Sequence, residues 1–342
     1  MSIPSSILLL GAGELGSAIL SRLAAQPALS ETRFTVALRP STVSDRDSPR
    51  LAALRSLVTG PDTRLSFASL DLGAADARET LTRIIRAAGA EVVVACTGFA
   101  GSGTGKGPHA LIAQAVFESG VVKRYFPWQF GGDYDVLGPD ACGGLMREQC
   151  AVRDVLRRKA EAAGVEWMIV STGIFMSFVF EDWVGLVEGL GEGLKKGSLG
   201  EVGGKEKKVT VRGFGGWETG LTLTAVDDIG KVIADLVVNP LEKRNDKGGS
   251  VVYTCGQTVT YAELADVVEK VVGPGVQVAR EEWSLESLTT ELEKDPENAL
   301  KKYRVWFAKS EGVRWSQEKT INAQRGIDTI GVEQWLRTAL GV

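Results

Sequence analysis

The sequence predicts an α/β protein: a doubly wound parallel sheet followed by a smaller C-terminal α/β lobe. Three observations carry this expectation. Up to about residue 175, short apolar runs alternate with segments of helical period, the pattern of strand–helix units that build a parallel sheet. The first apolar run ends in a glycine-rich turn that opens a helix. Beyond residue 185 the alternation degrades, and strands and helices resume only after a glycine- and lysine-rich stretch.

Each element follows from local pattern. "SILLLGAG" reads as a short buried strand ending in glycine, and "LGSAILSRLAAQ" as a helix with Leu15, Ile19 and Leu23 on one face. "FTVALRP" is a second strand, stopped by Pro40; "LSFASLDL" is a third and "EVVVACTG" a fourth. "PHALIAQAVFESG" is a helix with Pro108 at its start and Gly120 past its end. "VVKRYFP" is a fifth strand, "REQCAVRDVLRRKAEAAG" a longer helix closed by Gly164, and "EWMIVSTG" a sixth strand. "EGLGEGLKKGSLGEVGGKEKK" lacks a steady period and reads as a mobile surface loop, or as a weak helix followed by a loop. Its role is that of a solvated insertion or of a flap over substrate. "VTVRGFGGWETGLTLTAVDDIGKVIADLVVNP" gives strand, turn, strand and helix, with Asp227 or Asp228 as a cap. "TVTYAELADVVEKVVG" carries Thr260 three residues before Glu263, a capping-box signature. The expected organisation is a dinucleotide-type domain over 1–175, with 222–238 returning to it, and a substrate lobe over 176–221 and 239–342 with the Gly/Lys-rich loop near 188–208.

Composition narrows the functional classes. The 342 residues are 44% hydrophobic and 24% charged, with a formal net charge of −4, which argues against a nucleic-acid surface. Four scattered cysteines, Cys96, Cys142, Cys150 and Cys255, fit reduced thiols. The single histidine, His109, rules out a three-histidine metal site, and no metal is expected. No leader-like segment and no apolar run of membrane-spanning length is evident, so a cytoplasmic protein without membrane partners is the expectation.

"GAGELG" places Gly11, Gly13 and Gly16 in GxGxxG spacing between a strand and a helix. The first glycine permits a tight turn, the second admits a pyrophosphate, and the third lets helix and strand pack closely. This is a Rossmann-type dinucleotide site. At the end of the second strand, "ALRPS" offers Arg39 and Ser41, with no acid before Asp45. A carboxylate there would hold a ribose diol and repel a 2′-phosphate, whereas a guanidinium pairs with the phosphate. NADP(H) is therefore expected over NAD(H).

Together, GxGxxG with Arg39, "TG" after strand four, "VVKRYFPWQFGGD" and "VDDIG" resemble the NmrA-like proteins. These include plant isoflavone and phenylcoumaran benzylic ether reductases, atypical members of the short-chain dehydrogenase superfamily. "PWQFGGDYD", "REQCAVRDVLR" and "STGIFMSFVFE" are most similar to the fungal branch, and "GVRWSQEKTINAQRGID" extends the likeness toward the C-terminus. The resemblance implies NADP(H) against Gly11, Gly13, Glu14, Leu15, Gly16 and Arg39, and against Thr97, Gly98 and Phe99 beyond strand four. His109 stands where the family often has glutamine. It either approaches the cofactor or is a surface residue at a helix start. Pro127 and Trp128 are placed near the nicotinamide.

The catalytic group is harder to assign. None of Tyr125, Tyr134, Tyr253, Tyr261 and Tyr303 has a lysine four residues on, so no YxxxK pair exists. The lysine that the plant ether reductases use aligns with Gln149 or with Arg153, one helical turn apart. Gln149 cannot ionise and Arg153 stays protonated, so proton exchange must come from elsewhere. Asp133, Asp135 and Glu148 are the carboxyl candidates and Tyr134 the phenol; each is equally a turn or cap residue. Gln129, Phe130, Phe175, Met176, Phe180 and Trp183 are the substrate-binding candidates, near the ends of strands five and six, with Phe178 a further aromatic that can equally be core. The resemblance implies an NADP(H)-dependent reductase of an aromatic or conjugated small molecule in fungal secondary metabolism. The missing lysine keeps a second reading open: an NADP-bound enzyme without net redox, such as a Pictet–Spengler-type cyclase. An NADP-sensing regulatory protein is the third.

Overall fold

A strand buried on both faces must satisfy every backbone N–H and C=O sideways, and the apolar runs of the N-terminal half do so by pairing with one another. The computed structural model describes residues 3–45, 47–98 and 107–342. Its strands are β1 (Ser6–Leu10), β2 (Arg33–Leu38), β3 (Leu65–Ser69), β4 (Val92–Ala95), β5 (Arg124–Phe126), β6 (Glu166–Ser171), β7 (Ile174–Phe175), β8 (Val187–Glu188), β9 (Lys208–Phe214), β10 (Gly220–Thr224), β11 (Gly249–Tyr253), β12 (Gln257–Thr260) and β13 (Gln277–Trp283). The large sheet has the order β11-β6-β5-β4-β1-β2-β3. Its neighbours from β3 through β6 run parallel, with Leu8 opposite Thr35 on one side and Val93 on the other. The sheet is the expected doubly wound one, and its strand order reverses between β1 and β4.

One face of this sheet is packed into a continuous apolar core. Leu8, Leu10, Val93, Ala95, Tyr125, Trp167 and Ile169 alternate along their strands and point to the same side. Leu81 and Ile85 of the helix Ala77–Ala88, Ile112 and Val116 of Pro108–Ser119, and Val152 and Leu156 of Arg147–Lys159 meet them there. The helix Ala77–Ala88 adds to the expected elements, and its apolar residues keep helical spacing. Gly120 ends its helix at a left-handed φ of 70°, as the sequence suggested. Elsewhere, the helices Glu14–Ala24 and Val226–Val238 approach so closely that a Cβ on Gly230 would lie 2.9 Å from the Ala18 carbonyl oxygen. Arg124 on β5 is buried beside Glu166 of β6, 3.4 Å away, and donates to the Leu236 and Val237 carbonyls at the end of Val226–Val238. A cation at a helix C-terminus interacts favourably with the unsatisfied carbonyls there.

The chain divides into two units that interleave in sequence. The first comprises Met1–Phe130, Arg147–Ser171 and Ile229–Val252; the second comprises Gly131–Met146, Thr172–Asp228 and Tyr253–Val342. Within the second, β10 pairs in parallel with β7 and antiparallel with β12, while β9 pairs in parallel with β13 and antiparallel with β8. The Gly/Lys-rich stretch takes the second of its two expected forms: a short helix, Gly191–Lys196, followed by 3-10 turns at Leu199–Glu201 and Gly204–Glu206. Fully buried Leu190 and Val202 anchor it. Thr260 and Glu263 form the expected capping box. Asp228 accepts a hydrogen bond from the Ile330 N–H, 2.9 Å, a long-range link that the sequence did not suggest. Among the described residues no helix is long and apolar enough to cross a membrane, and no group of three or more His, Cys, Asp or Glu is placed to hold a metal.

Leu156 is fully buried in the core on this face of the sheet. Leu156→Ala is expected to cost about 2–5 kcal/mol of stability, measured by urea denaturation. A loss below about 1 kcal/mol would contradict the packing described.

Candidate active site

The reversal of strand order between β1 and β4 leaves a crevice at the carboxyl ends of the strands, and the glycine loop sits in it. Gly11 leaves β1 with a left-handed φ of 87°. A Cβ there would lie 2.8 Å from the Cys96 carbonyl oxygen, just past β4. Gly16, one turn into the helix, would collide with the Gly11 carbonyl if it had a Cβ. Gly13 is different. It is the N-cap of Glu14–Ala24, it has no side-chain cap, and nothing lies within 4 Å of where its Cβ would be. The loop thus combines two sealed contacts with one open approach to a helix N-terminus, where backbone N–H groups and the helix dipole favour an anion.

Basic residues stand near this approach. Arg39 is exposed at the end of β2, where its carbonyl accepts from Thr42 and Val43 and starts a short helix, Pro40–Ser44; Ser41 is exposed beside it. Arg50, outside the residues that the sequence motifs point to, donates from Nη2 to the Ala12 carbonyl inside the glycine loop. Its only sequence signal was a basic residue at a helix start, which is common on protein surfaces. Among the other expected cofactor residues, Glu14 is exposed, Leu15 is buried in the core, and Thr97 and Gly98 follow β4. Phe99 lies outside the described residues.

A buried polar cluster occupies the ends of β4 and β5. His109, in the first turn of Pro108–Ser119, is 1% exposed, which excludes the surface-histidine reading. Its ring stacks on Trp128 at 6.4 Å and 17° between planes, and Trp128 meets Phe130 edge-on at 5.7 Å. The His109 backbone N–H donates to Glu148 Oε1 at 2.9 Å. A Cβ on Gly107 would collide with the Glu148 carboxylate, so the glycine makes room for this bond. Burial lowers the His109 pKa to about 4, only partly opposed by the nearby Gly98 backbone, and the imidazole is neutral. Burial raises the Glu148 carboxyl above its ordinary value, and the His109 N–H partly offsets this.

Gln149 and Arg153 lie one turn apart on Arg147–Lys159, and both are buried. Arg153 Nε donates to Gln129 Oε1 at 3.0 Å, and Gln129 Nε2 donates to the Gln149 carbonyl at 3.0 Å. The segment after β5, which includes buried Pro127, is thereby fastened to this helix by side chains distant in sequence. Several buried polar atoms find no hydrogen-bond partner among the described residues: Thr97 Oγ1, both ring nitrogens of His109, the Tyr125 hydroxyl, and Oε1 and Nε2 of Gln149.

The remaining candidates belong to the second unit. Asp133 Oδ1 caps the short helix Tyr134–Leu137 through the Asp135 and Val136 N–H groups, and Oδ2 accepts from the Tyr253 hydroxyl at 2.5 Å. Asp135 is exposed, and Tyr134 is buried with its hydroxyl against Gly131. Met176 and Phe180 are core residues, with Phe180 stacked on Trp335 at 5.2 Å. Phe175 is half-buried, Phe178 packs on Tyr303 and Phe307, and Trp183 is 55% exposed. Gln149, Arg153, Gln129 and Phe130 thus share the first unit with the glycine loop, whereas Asp133, Tyr134 and the later aromatics do not.

The NmrA-like family profile matches residues 55–326. The chain is 36% identical over 332 residues to an NmrA-like family domain-containing oxidoreductase of Gibberella moniliformis (strain M3125 / FGSC 7600), covering 97% of each chain. Among solved structures it is similar to the binary complex of leucoanthocyanidin reductase and NADPH from Vitis vinifera, with TM-score 0.67, 17% identity, and 98% and 100% of the two chains covered. It is also similar to isoflavone reductase, with TM-score 0.66, 19% identity and 97% and 98% covered. AtPrR2 with NADP+ and (+)pinoresinol gives TM-score 0.66 at 16% identity, with 97% and 98% covered. With the family profile spanning most of the chain and a curated relative matched nearly end to end, the chain belongs to the NmrA-like family.

Proposed function

We propose that this chain is an NADP(H)-dependent reductase of an aromatic or conjugated small molecule, acting in the cytoplasm in fungal secondary metabolism. The observation that carries the reading is the open helix N-terminus at Gly13, with Arg50 bonded to the loop and Arg39 at the end of the neighbouring strand. These residues fit the group: Gly11 and Gly16 seal the turn, Gly13 leaves room for a pyrophosphate, and the two guanidinium groups suit a 2′-phosphate. The fungal relative named an oxidoreductase, and the neighbours solved with NADPH or with NADP+ and (+)pinoresinol, support the same reading.

When bound, the reduced cofactor supplies a hydride; the remaining tasks fall to the chain's own side chains. Trp128 and Phe130 offer an apolar wall that excludes water from the reacting face. Arg153 is held by Gln129 and remains charged, so it stabilises an anion developing on a reduced conjugated system without acting as a base. Glu148, whose carboxyl is raised by burial, is the proton donor in this reading. Thr97, His109 and Gln149 supply the polar contacts.

A specific observation favours a second reading. Neither Gln149 nor Arg153 can shuttle a proton as the family lysine does, and an NADP-bound enzyme with no net redox, such as a Pictet–Spengler-type cyclase, does not require that shuttle.

Three measurements test these readings. Arg39→Glu is expected to weaken NADP+ binding by about ten- to a hundredfold in calorimetry while leaving NAD+ binding unchanged. Equal loss for both dinucleotides would remove Arg39 from the 2′-phosphate site. Incubating the protein and NADPH with conjugated aromatics and with amine–aldehyde pairs, absorbance at 340 nm should fall as reduced product appears by mass. Product without NADPH consumption would instead establish the second reading. Glu148→Gln keeps an acceptor for the His109 N–H and is expected to lower kcat by about 10²–10⁴ with NADP+ affinity retained. An unchanged kcat would rule out Glu148 as proton donor.

A further inference from the structure

We infer that the second unit carries a binding site for a small organic monocarboxylate, in the cavity between the helices Leu285–Lys294 and Ala299–Lys309, with the Arg304 guanidinium as its anchor. The cavity measures about 250 Å³ and is lined by Trp283, Ser287, Leu288, Glu291, Lys301 and Arg304. All six belong to the second unit, whereas the glycine loop belongs to the first, so the inference does not depend on the NADP(H) reading.

Local sequence builds the cavity. Trp283 ends β13, and the Ser284 side chain caps the next helix by accepting from the Ser287 N–H at 3.1 Å. Ser287 and Glu291 recur one helical turn apart, with Leu288 between them; Lys301 and Arg304, three residues apart, come from the following helix. Leu288 is buried and Ser287 is exposed, which gives the cavity an apolar wall and an open side.

An imbalance of charge marks Arg304. The Arg212 and Arg304 guanidinium groups lie 4.7 Å and 5.1 Å from the Trp283 ring centre. Arg212 is neutralised by Glu188 and Glu281, each 2.8 Å away. Arg304, which is half-buried, donates from Nε to the Val184 carbonyl at 2.9 Å. Its two Nη groups have no hydrogen bond and no ion pair among the described residues. Burial, and then the Arg212 charge, push this guanidinium below its ordinary pKa, with Glu188 opposing in part. A carboxylate bound across both Nη groups satisfies the unused fork in bidentate geometry and neutralises the second cation.

The other lining residues select the class of anion. Lys301 adds positive charge; it stands 3.8 Å from Glu291 and 3.7 Å from Asp295, too far to hydrogen-bond with either. Glu291, held by Lys294 at 2.7 Å, places one negative charge on the wall, which disfavours a dianion such as phosphate. Trp283, stacked on Phe214 at 5.5 Å and 16°, and Leu288 offer apolar contact to a carbon skeleton. The volume falls below the roughly 300–1,000 Å³ of pockets for drug-sized ligands, so a single ring or a short chain fits and a dinucleotide does not.

The test titrates three probes into the purified full chain by calorimetry: benzoate, its uncharged isostere benzamide, and inorganic phosphate. Benzoate is expected to bind at least about tenfold more tightly than either of the others. Arg304→Gln, which removes the charge, should weaken benzoate binding by about ten- to a hundredfold. Arg304→Lys keeps the charge without the fork and should restore only part of the loss. Should Arg304→Gln fail to fold, Ser287→Trp fills the exposed side of the cavity and is expected to weaken benzoate by at least about tenfold. No binding of benzoate, binding no tighter than that of benzamide, or binding unaltered by the variant overturns the inference. Phosphate bound as tightly as benzoate overturns it as well, because the site would then recognise charge alone.

Discussion

The close approach of the glycine loop to the end of β4 is the constraint on which the rest depends. Gly11 lies so near the Cys96 carbonyl that a side chain could not be accommodated, and its φ of 87° disfavours any other residue. Gly16 then allows the helix Glu14–Ala24 to start directly against the loop. The same contacts that join β1 to β4 at the reversal point therefore aim a helix N-terminus into the crevice. Fold and binding site are one packing arrangement here, and the open Gly13 position is what remains for a ligand.

Around that arrangement, the first unit concentrates buried polarity where a Rossmann-type sheet is otherwise apolar. Gln129, Gln149, Arg153, His109 and Glu148 are all under a tenth exposed. Buried polar groups are costly unless paired, and this cluster is only partly paired. Partial satisfaction is poor design for stability and good design for a site, because a ligand can supply the missing partners. With glutamine at 149 and arginine at 153, the helix brings a neutral amide and a guanidinium to this cluster. Glu148 is a carboxyl in this cluster whose protonated form burial favours.

The second unit contributes candidates of a different kind. Asp133 has one oxygen committed to a helix cap and the other to the Tyr253 hydroxyl, so its carboxylate is structurally employed. Met176 and Phe180 lie in that unit's core, and Trp183 projects to solvent. Aromatic residues close together in sequence therefore separate into core, half-buried and exposed positions. Short-range pattern cannot sort them, because a four-residue helix and a two-residue strand follow β6 within a few residues.

What the sequence by itself determined was local and periodic. It set the first six strands of the large sheet and several of their helices, though not β11 or the helix Ala77–Ala88, and also the GxGxxG turn with Arg39 at the end of β2, the Thr260 capping box, and the lack of a lysine at 149 and 153. These features are legible because strand and helix periods, turn glycines and caps act over a few residues. Only the tertiary structure decided the rest: Arg50 on the Ala12 carbonyl, Glu148 on the His109 N–H beside Gly107, and Gln129 between Arg153 and Gln149. It also decided that His109 is buried rather than at the surface. Each of these links joins segments far apart in the chain. Such contacts are set by how helices pack across the sheet ends, and no local spacing in the sequence records that packing.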